Sequence, residues 1–132
     1  MKYLLPEGWE RPKGYSNGVS AEGRMIFVAG QVGWNAQNIF ESDDFVDQLR
    51  QVLMNTREIL AVADAGPEHV VRMTWYFTSK KEYVSRLQEI GAVYRDVMGS
   101  NYPAMAAVEV CALVEDQAKI EIETTAVVPL SN

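Results

Sequence analysis

Between Phe45 and Leu60 the residues Phe45, Val46, Leu49, Val52, Leu53, Thr56, Ile59 and Leu60 recur at steps of three and four. That spacing puts them on one stripe of a long helix, with Gln48, Arg50, Gln51, Arg57 and Glu58 on the other side. Ser42 is the expected N-cap, with Asp43 and Asp44 in the positive first turn. Ala65-Gly66-Pro67 is a stop signal. An apolar stripe of this length has to be covered, and the flanking segments show by what.

Met25–Ala29 is an unbroken apolar run after the turn pair Glu22-Gly23, and reads as a buried strand. Tyr15–Val19 precedes it as a hairpin partner. After the helix, Val70–Thr78 is rich in β-branched and aromatic residues and reads as a central strand. Ser79 and Glu82 form a capping box for a second helix, ended by Gly99. Pro103–Leu113 reads as another strand. Lys119–Val128 alternates cleanly, with Ile120, Ile122, Thr124 and Ala126 on one face and Glu121, Glu123 and Thr125 on the other.

The order β-β-α-β-α-β-β, with a hairpin at each end, predicts an α/β (α+β) domain: a mixed sheet with two helices on one face. The other face is left uncovered and partly apolar, which predicts oligomerisation through it. The 132 residues fit one domain, 1–132, with residues 1–14 as an N-terminal arm.

Twelve basic and 18 acidic residues give a net charge of −6. Phosphate backbones and anionic membranes are bound through clustered cations, so neither nucleic acid nor membrane is expected as a partner. No apolar run reaches the ~20 residues of a membrane span, and the first residues lack a signal-peptide core. A cytoplasmic location is expected. With one cysteine, Cys111, and one histidine, His69, neither a disulfide nor a clustered metal site is expected. Cys111, flanked by apolar residues, reads as an inert thiol within a strand, and His69 as a surface loop residue.

Carboxylates in strands beside a cleft can serve as acid or base, which singles out Glu109, Glu121 and Glu123. Tyr15, Trp34 and Tyr102, near loops, are candidates to line a pocket for a planar ligand. Trp75 reads as sheet packing. Gly30-Gln31-Val32-Gly33 reads first as a strand-ending turn.

Several segments, taken together, carry a resemblance. Tyr15-Ser16-Asn17-Gly18-Val19 and Ile26-Phe27-Val28-Ala29-Gly30-Gln31-Val32 resemble the opening of the Rid/YjgF (reactive intermediate deaminase) family. Gln48, Gln51, Leu53 and Asn55 reproduce its Gln-x-x-Gln-x-Leu-x-Asn helix pattern. Tyr102-Pro103-Ala104, Val108-Glu109-Val110 and Ile120-Glu121-Ile122-Glu123 resemble its last third. The likeness runs in order over residues 15–128.

The resemblance implies a chorismate-mutase-like fold and a homotrimer with a barrel-like core. It implies small-molecule clefts between subunits, hydrolysis of imines or enamines to carbonyl compounds and ammonia, and no metal or cofactor. Among site residues it implies Tyr15 and Gly30 at the cleft and Glu121 to position water. Where active members carry arginine after Pro-Ala, this chain has Met105. It has Ala107 where cysteine is common, Ala29 where serine is common and Gly91 where asparagine is common. Met supplies no donor for a substrate carboxylate. Arg24, Arg72 and Arg11 are the candidates for a replacement.

Three readings follow. The first is an enzyme acting on an imine, enamine or related reactive intermediate other than 2-iminopropanoate, with Met105 against an apolar part of it. The second is a non-catalytic module holding a metabolite or partner. The third, an endoribonuclease or translation inhibitor, is disfavoured by the charge.

Overall fold

The computed structural model of the chain describes residues 1–131; Asn132, the end of the expected domain, lies outside the described residues. The strands are β1 (Lys2–Leu4), β2 (Gly18–Ser20), β3 (Arg24–Val32), β4 (Val70–Phe77), β5 (Ala104–Glu109) and β6 (Ile120–Val128). The helices are α1 (Phe45–Val62), α2 (Lys80–Ser85) and α3 (Leu87–Met98). The main sheet has the order β3-β6-β4-β5; β4 and β5 are parallel and the other pairs antiparallel. This is the mixed α+β arrangement the sequence predicts, with α1 and α3 as the two main helices.

The core lies between these helices and one sheet face. Leu49, Val52, Leu53 and Leu60 of α1 are fully buried, against Val28 of β3, Met73 and Trp75 of β4, and Ile120 and Ile122 of β6. Fully burying such a side chain contributes roughly 1.5–3 kcal/mol. Alternation along β6 buries every second residue there and turns Glu121 and Glu123 to the opposite face. That face has no covering layer among the described residues, and Met25 and Phe27 of β3 are exposed on it.

Neither expected terminal hairpin forms. β2 pairs with β1, Lys2 opposite Ser20 and Leu4 opposite Gly18, so part of the arm is a strand. β6 runs between β3 and β4, because only an interior position buries its whole alternating face. β5 is left at the sheet edge beside β4. It ends at Glu109, whose Oε1 accepts from the Lys80 backbone N–H at 2.7 Å. Cys111 therefore lies beyond the strand and is exposed, not in the core.

The expected second helix is two. Arg86 leaves helical geometry at φ −123°, ψ 26°. Its guanidinium bonds Asp44 Oδ1 at 2.6 Å and Glu89 Oε2 at 2.7 Å, which ties the break to the start of α1. There Asp44, not Ser42, is the N-cap and accepts from the Asp47 N–H at 3.0 Å. Ser42 supports it from outside, accepting from the Asp44 N–H and donating to Asp47 Oδ2. Arg86 holds the Asp44 carboxyl below its usual range.

The polar residues of the helix pattern are inside as well. Gln48, expected on the solvated side, is 1% exposed. Its Nε2 donates to the carbonyls of Ser42 and Gln117, each at 3.0 Å, and its Oε1 accepts from the Lys119 N–H at 2.8 Å. Gly33 makes room: a Cβ there would lie 2.7 Å from Gln48 Cβ. Asn55 Nδ2 donates to the carbonyls of Val32 and Trp34, and its Oδ1 accepts from Gln51 Nε2.

Two substitutions test this packing. Gln48→Leu, close in volume, leaves two carbonyls and an amide without their partner, and should cost about 3 kcal/mol in urea unfolding. A loss below ~1 kcal/mol would show that water satisfies those groups. Thr124, buried on the core face of β6, has a hydroxyl with no partner. Thr124→Val removes it at nearly constant shape, and should raise stability by roughly 1 kcal/mol, read as a higher Tm.

Candidate functional site

A cleft of about 610 Å³ opens where β5 forms the sheet edge. Its floor is Met105 and Ala107, on alternate positions of β5 and in register with Met73 and Trp75 of β4. Ile90 and Tyr94 of α3 form one wall. Tyr15 and Tyr102 close the end next to the arm.

The segment before β2 is held there by the backbone. The Ser16 N–H donates to the Pro103 carbonyl at 2.9 Å, and Ser16 Oγ donates to the Tyr102 carbonyl. Ser16 also bridges in parallel to Ala104, so Tyr15 lies alongside the start of β5. Gly14, at φ 78°, is in the left-handed region and makes the turn that presents Tyr15.

The aromatic walls are ordered by mutual packing. Tyr83 stacks on Phe77 with centroids 4.4 Å apart and planes within 7°. Tyr94 stacks on Tyr102 at 5.5 Å, and its hydroxyl donates to the Asn101 carbonyl at 2.6 Å. Trp75 lies between, 6.3 Å from Tyr94 and 6.5 Å from Tyr83. It is 2% exposed and its indole N–H has no acceptor among the described residues. Such aromatic pairs each contribute ~0.5–1.5 kcal/mol beyond area burial and hold the ring planes fixed. Burial pushes the Tyr83 and Tyr94 hydroxyls above the usual tyrosine range.

The expected site residues fall into three groups within one chain. Tyr15, Met105 and Ala107 share the cleft. Gly30 and Glu121 form a second group: a Cβ on Gly30 would lie 2.5 Å from Glu121 Oε2, so the carboxylate rests on bare glycine backbone. Glu121 is on the open sheet face, opposite Tyr76 in the β4–β6 register. The Tyr76 hydroxyl donates to Glu123 Oε1 at 2.8 Å, and that bond raises the Tyr76 pKa. Trp34 belongs to neither group. It packs on Phe40 at 5.7 Å, and its carbonyl accepts from Asn55. The residues expected to act together thus lie on opposite faces of one sheet.

The arginines considered as stand-ins for the one the resemblance implies after Pro103-Ala104 are elsewhere too. Arg24 donates to the Ala63 carbonyl at 2.8 Å. Arg72 is on the open face with Glu123, and Arg11 lines a separate depression beside Tyr3 and Pro12. His69 lies in the short turn Pro67–His69, where its Nδ1 accepts from the Gly66 N–H. The sequence reading passed over Lys13 and Arg95, which do line the cleft. For Arg95 the available signal was its place one turn after Gly91 on α3.

Fold and cleft together define a class: a two-layer α+β domain whose open sheet edge is walled with aromatics. Residues 9–128 match the family described as endoribonuclease L-PSP. The Rid-family protein YyfB of Yersinia pestis superposes with a TM-score of 0.85 at 33% identity, over 96% of this chain and 98% of that one. The human 2-iminobutanoate/2-iminopropanoate deaminase is 30% identical over 86% of this chain and 79% of its own length. Escherichia coli TdcF, solved with bound serine, superposes with a TM-score of 0.67 at 28% identity, over 96% and 98% of the two chains. The chain belongs to the Rid/YjgF family of reactive intermediate deaminases.

The raised Tyr94 pKa has a sign that can be checked. The unfolded chain loses this proton near pH 10 while the folded chain keeps it. Stability should therefore fall as pH rises above ~10. Tyr94→Phe should flatten that fall, with some loss at neutral pH from the missing hydrogen bond. Urea unfolding between pH 8 and 11 measures both, and an unchanged alkaline slope would contradict the assignment.

Proposed function

We propose that the chain works as a trimer that hydrolyses an imine or enamine other than 2-iminopropanoate, with the cleft of one subunit completed by Glu121 of the next. The observation that carries this is the division of the site. The ligand-sized cleft contains no carboxylate, and the carboxylate resting on Gly30 lies on the opposite, uncovered face. Joining copies through that face covers Met25 and Phe27 and can bring Glu121 to a neighbour's cleft. The family membership and the relatives named as imine deaminases support the reaction class.

The chemistry asks little of the protein. Water adds to the imine carbon, and Glu121 takes the proton that water loses. Glu121 passes that proton to the nitrogen, which gives a carbinolamine. The carbinolamine hydroxyl proton then moves to the nitrogen by the same carboxylate, the C–N bond breaks, and ammonia leaves as the C=O bond forms. A positioned carboxylate contributes ~10²–10⁴-fold to such a transfer. Met105 and Ala107 supply contact rather than charge. They disfavour a small 2-imino acid that depends on a strand arginine, and they leave space for a larger apolar group. No helix among the described residues is long and apolar enough to cross a membrane.

A metabolite-holding protein without turnover is the alternative, favoured by the lack of any carboxylate in the cleft itself. The two separate on one assay. Imines are generated in situ by an amino-acid oxidase, and carbonyl product is followed with wild type and Glu121→Gln. The enzyme reading expects turnover of bulky imines to exceed that of 2-iminopropanoate, and Glu121→Gln to lower it at least a hundredfold with assembly mass unchanged. Wild type inactive on every imine, or Glu121→Gln fully active, would overturn it.

A further inference from the structure

The chain carries 18 acidic and 12 basic residues. The cleft at the β5 edge reverses that balance: the charged residues lining it are Lys13 and Arg95, and none is acidic. Both are exposed, at the mouth rather than on the floor. Arg95 makes no ion pair and no side-chain hydrogen bond among the described residues. Two other arginines of the helices are committed to carboxylates: Arg86 to Asp44 and Glu89, Arg50 to Asp96.

The position of Arg95 depends on Gly91, one turn earlier on α3. A Cβ on Gly91 would lie 3.2 Å from Arg95 Nη1, tighter than ordinary carbon–nitrogen contact. With hydrogen there instead, the guanidinium lies back along the helix over the glycine and toward the cleft. A glycine inside a helix costs up to ~1 kcal/mol relative to alanine, and here it gives the guanidinium its place. The rest of the lining is apolar or aromatic, with Met105 below and Tyr15, Tyr83 and Tyr94 around.

Resting on the reading of this cleft as the substrate site, we propose that Arg95, with Lys13, binds the carboxylate of a substrate whose body is aromatic. The ligand class is an aryl-substituted monocarboxylate, such as an aryl 2-imino acid or the keto acid it yields. Its ring lies on Met105 and Ala107 between the tyrosines, and its carboxylate points outward to the guanidinium. Guanidinium and carboxylate match as two parallel N–H···O bonds, which Lys13 supplements as a point charge. Arg95 is thereby the specificity-determining residue for the acid group, and Met105 and Ala107 for the ring.

Binding tests this without turnover, so it stands apart from the role of Glu121. Phenylacetate, phenylacetamide and acetate are titrated by calorimetry into the full chain in its native assembly. Wild type should bind phenylacetate at least tenfold more tightly than either of the others, and added salt should weaken phenylacetate alone. Arg95→Gln should bring phenylacetate to the level of the amide, Arg95→Lys should recover part of the difference, and Lys13→Gln should lose less. Ala107→Trp, at an exposed floor position, should block both aromatic probes. Leu87→Trp, at the first residue of α3, which also lines the cleft, is the second filling variant should the first fail to fold. If filling blocks both probes but Arg95→Gln keeps the preference for the acid, Arg95 is not the carboxylate ligand and this inference alone falls. If the probes still bind the filled variant, they sit elsewhere and the cleft reading falls with it. Wild type that binds neither aromatic probe, or binds both equally, also overturns the proposal.

Discussion

The buried amide of Gln48 is the contact on which the rest of this fold turns. It joins two pieces of chain remote in sequence: the entry to α1 at Ser42, and the segment Gln117–Lys119 that leads into β6. All three of its bonds go to backbone, so the amide does for these loops what a strand partner does inside a sheet. Its Cβ packs directly on Gly33, which fixes the end of β3 over the first turn of α1. Asn55, two turns later, bonds the carbonyls of Val32 and Trp34 and fixes the same strand end from the other side. Between them these side chains set the height at which β3 and β6 meet the helix, and hence where Gly30 and Glu121 face each other.

That alignment explains why the site is divided. β6 is interior, so alternation alone sends Glu121 away from the helices, while Met105 and Ala107 on β5 face toward them. No side-chain rotation carries a carboxylate through a sheet. A chemistry that needs both must take them from different copies, and the exposed Met25 and Phe27 are the apolar surface that association would bury. Assembly and activity are then one requirement.

The sequence was most legible where period and burial coincide. The α1 stripe, the β6 alternation and the β-branched run of β4 appear almost residue for residue, because each is read from its own neighbours. Errors arise where a distant partner decides. Gln48 looks solvated by spacing alone, yet three backbone groups from two loops draw it inside. Arg86 looks like ordinary helix, but its ion pairs with Asp44 and Glu89 accompany a break. Cys111 has apolar neighbours, but the bond between Glu109 and Lys80 ends the strand before it. At the site, Glu121 and Gly30 were readable as a pair only through the resemblance, since the contact between them crosses two strands. For Arg95 the sole mark was its place one turn after Gly91, since an exposed arginine on a helix otherwise looks like a solvated one.

The positions where the resemblance implies other residues gain a common physical sense once placed in space. Met105 and Ala107 remove polarity from the floor, and Gly91 removes bulk from the wall beside Arg95. A floor without a cation would by itself make a neutral cleft in an acidic protein, poorly suited to any acid. Arg95 and Lys13 put positive charge at the mouth instead. The same scaffold then holds the acid group, and the reacting carbon bonded to it, near the mouth, with the space down to the sheet left below them. A substrate must fill that space with something flat and apolar. The stacked pairs Tyr83–Phe77 and Tyr94–Tyr102 already hold their planes for such a partner. Rigid aromatic walls lose little conformational entropy on binding, so selection among acids would fall to the fit of the ring.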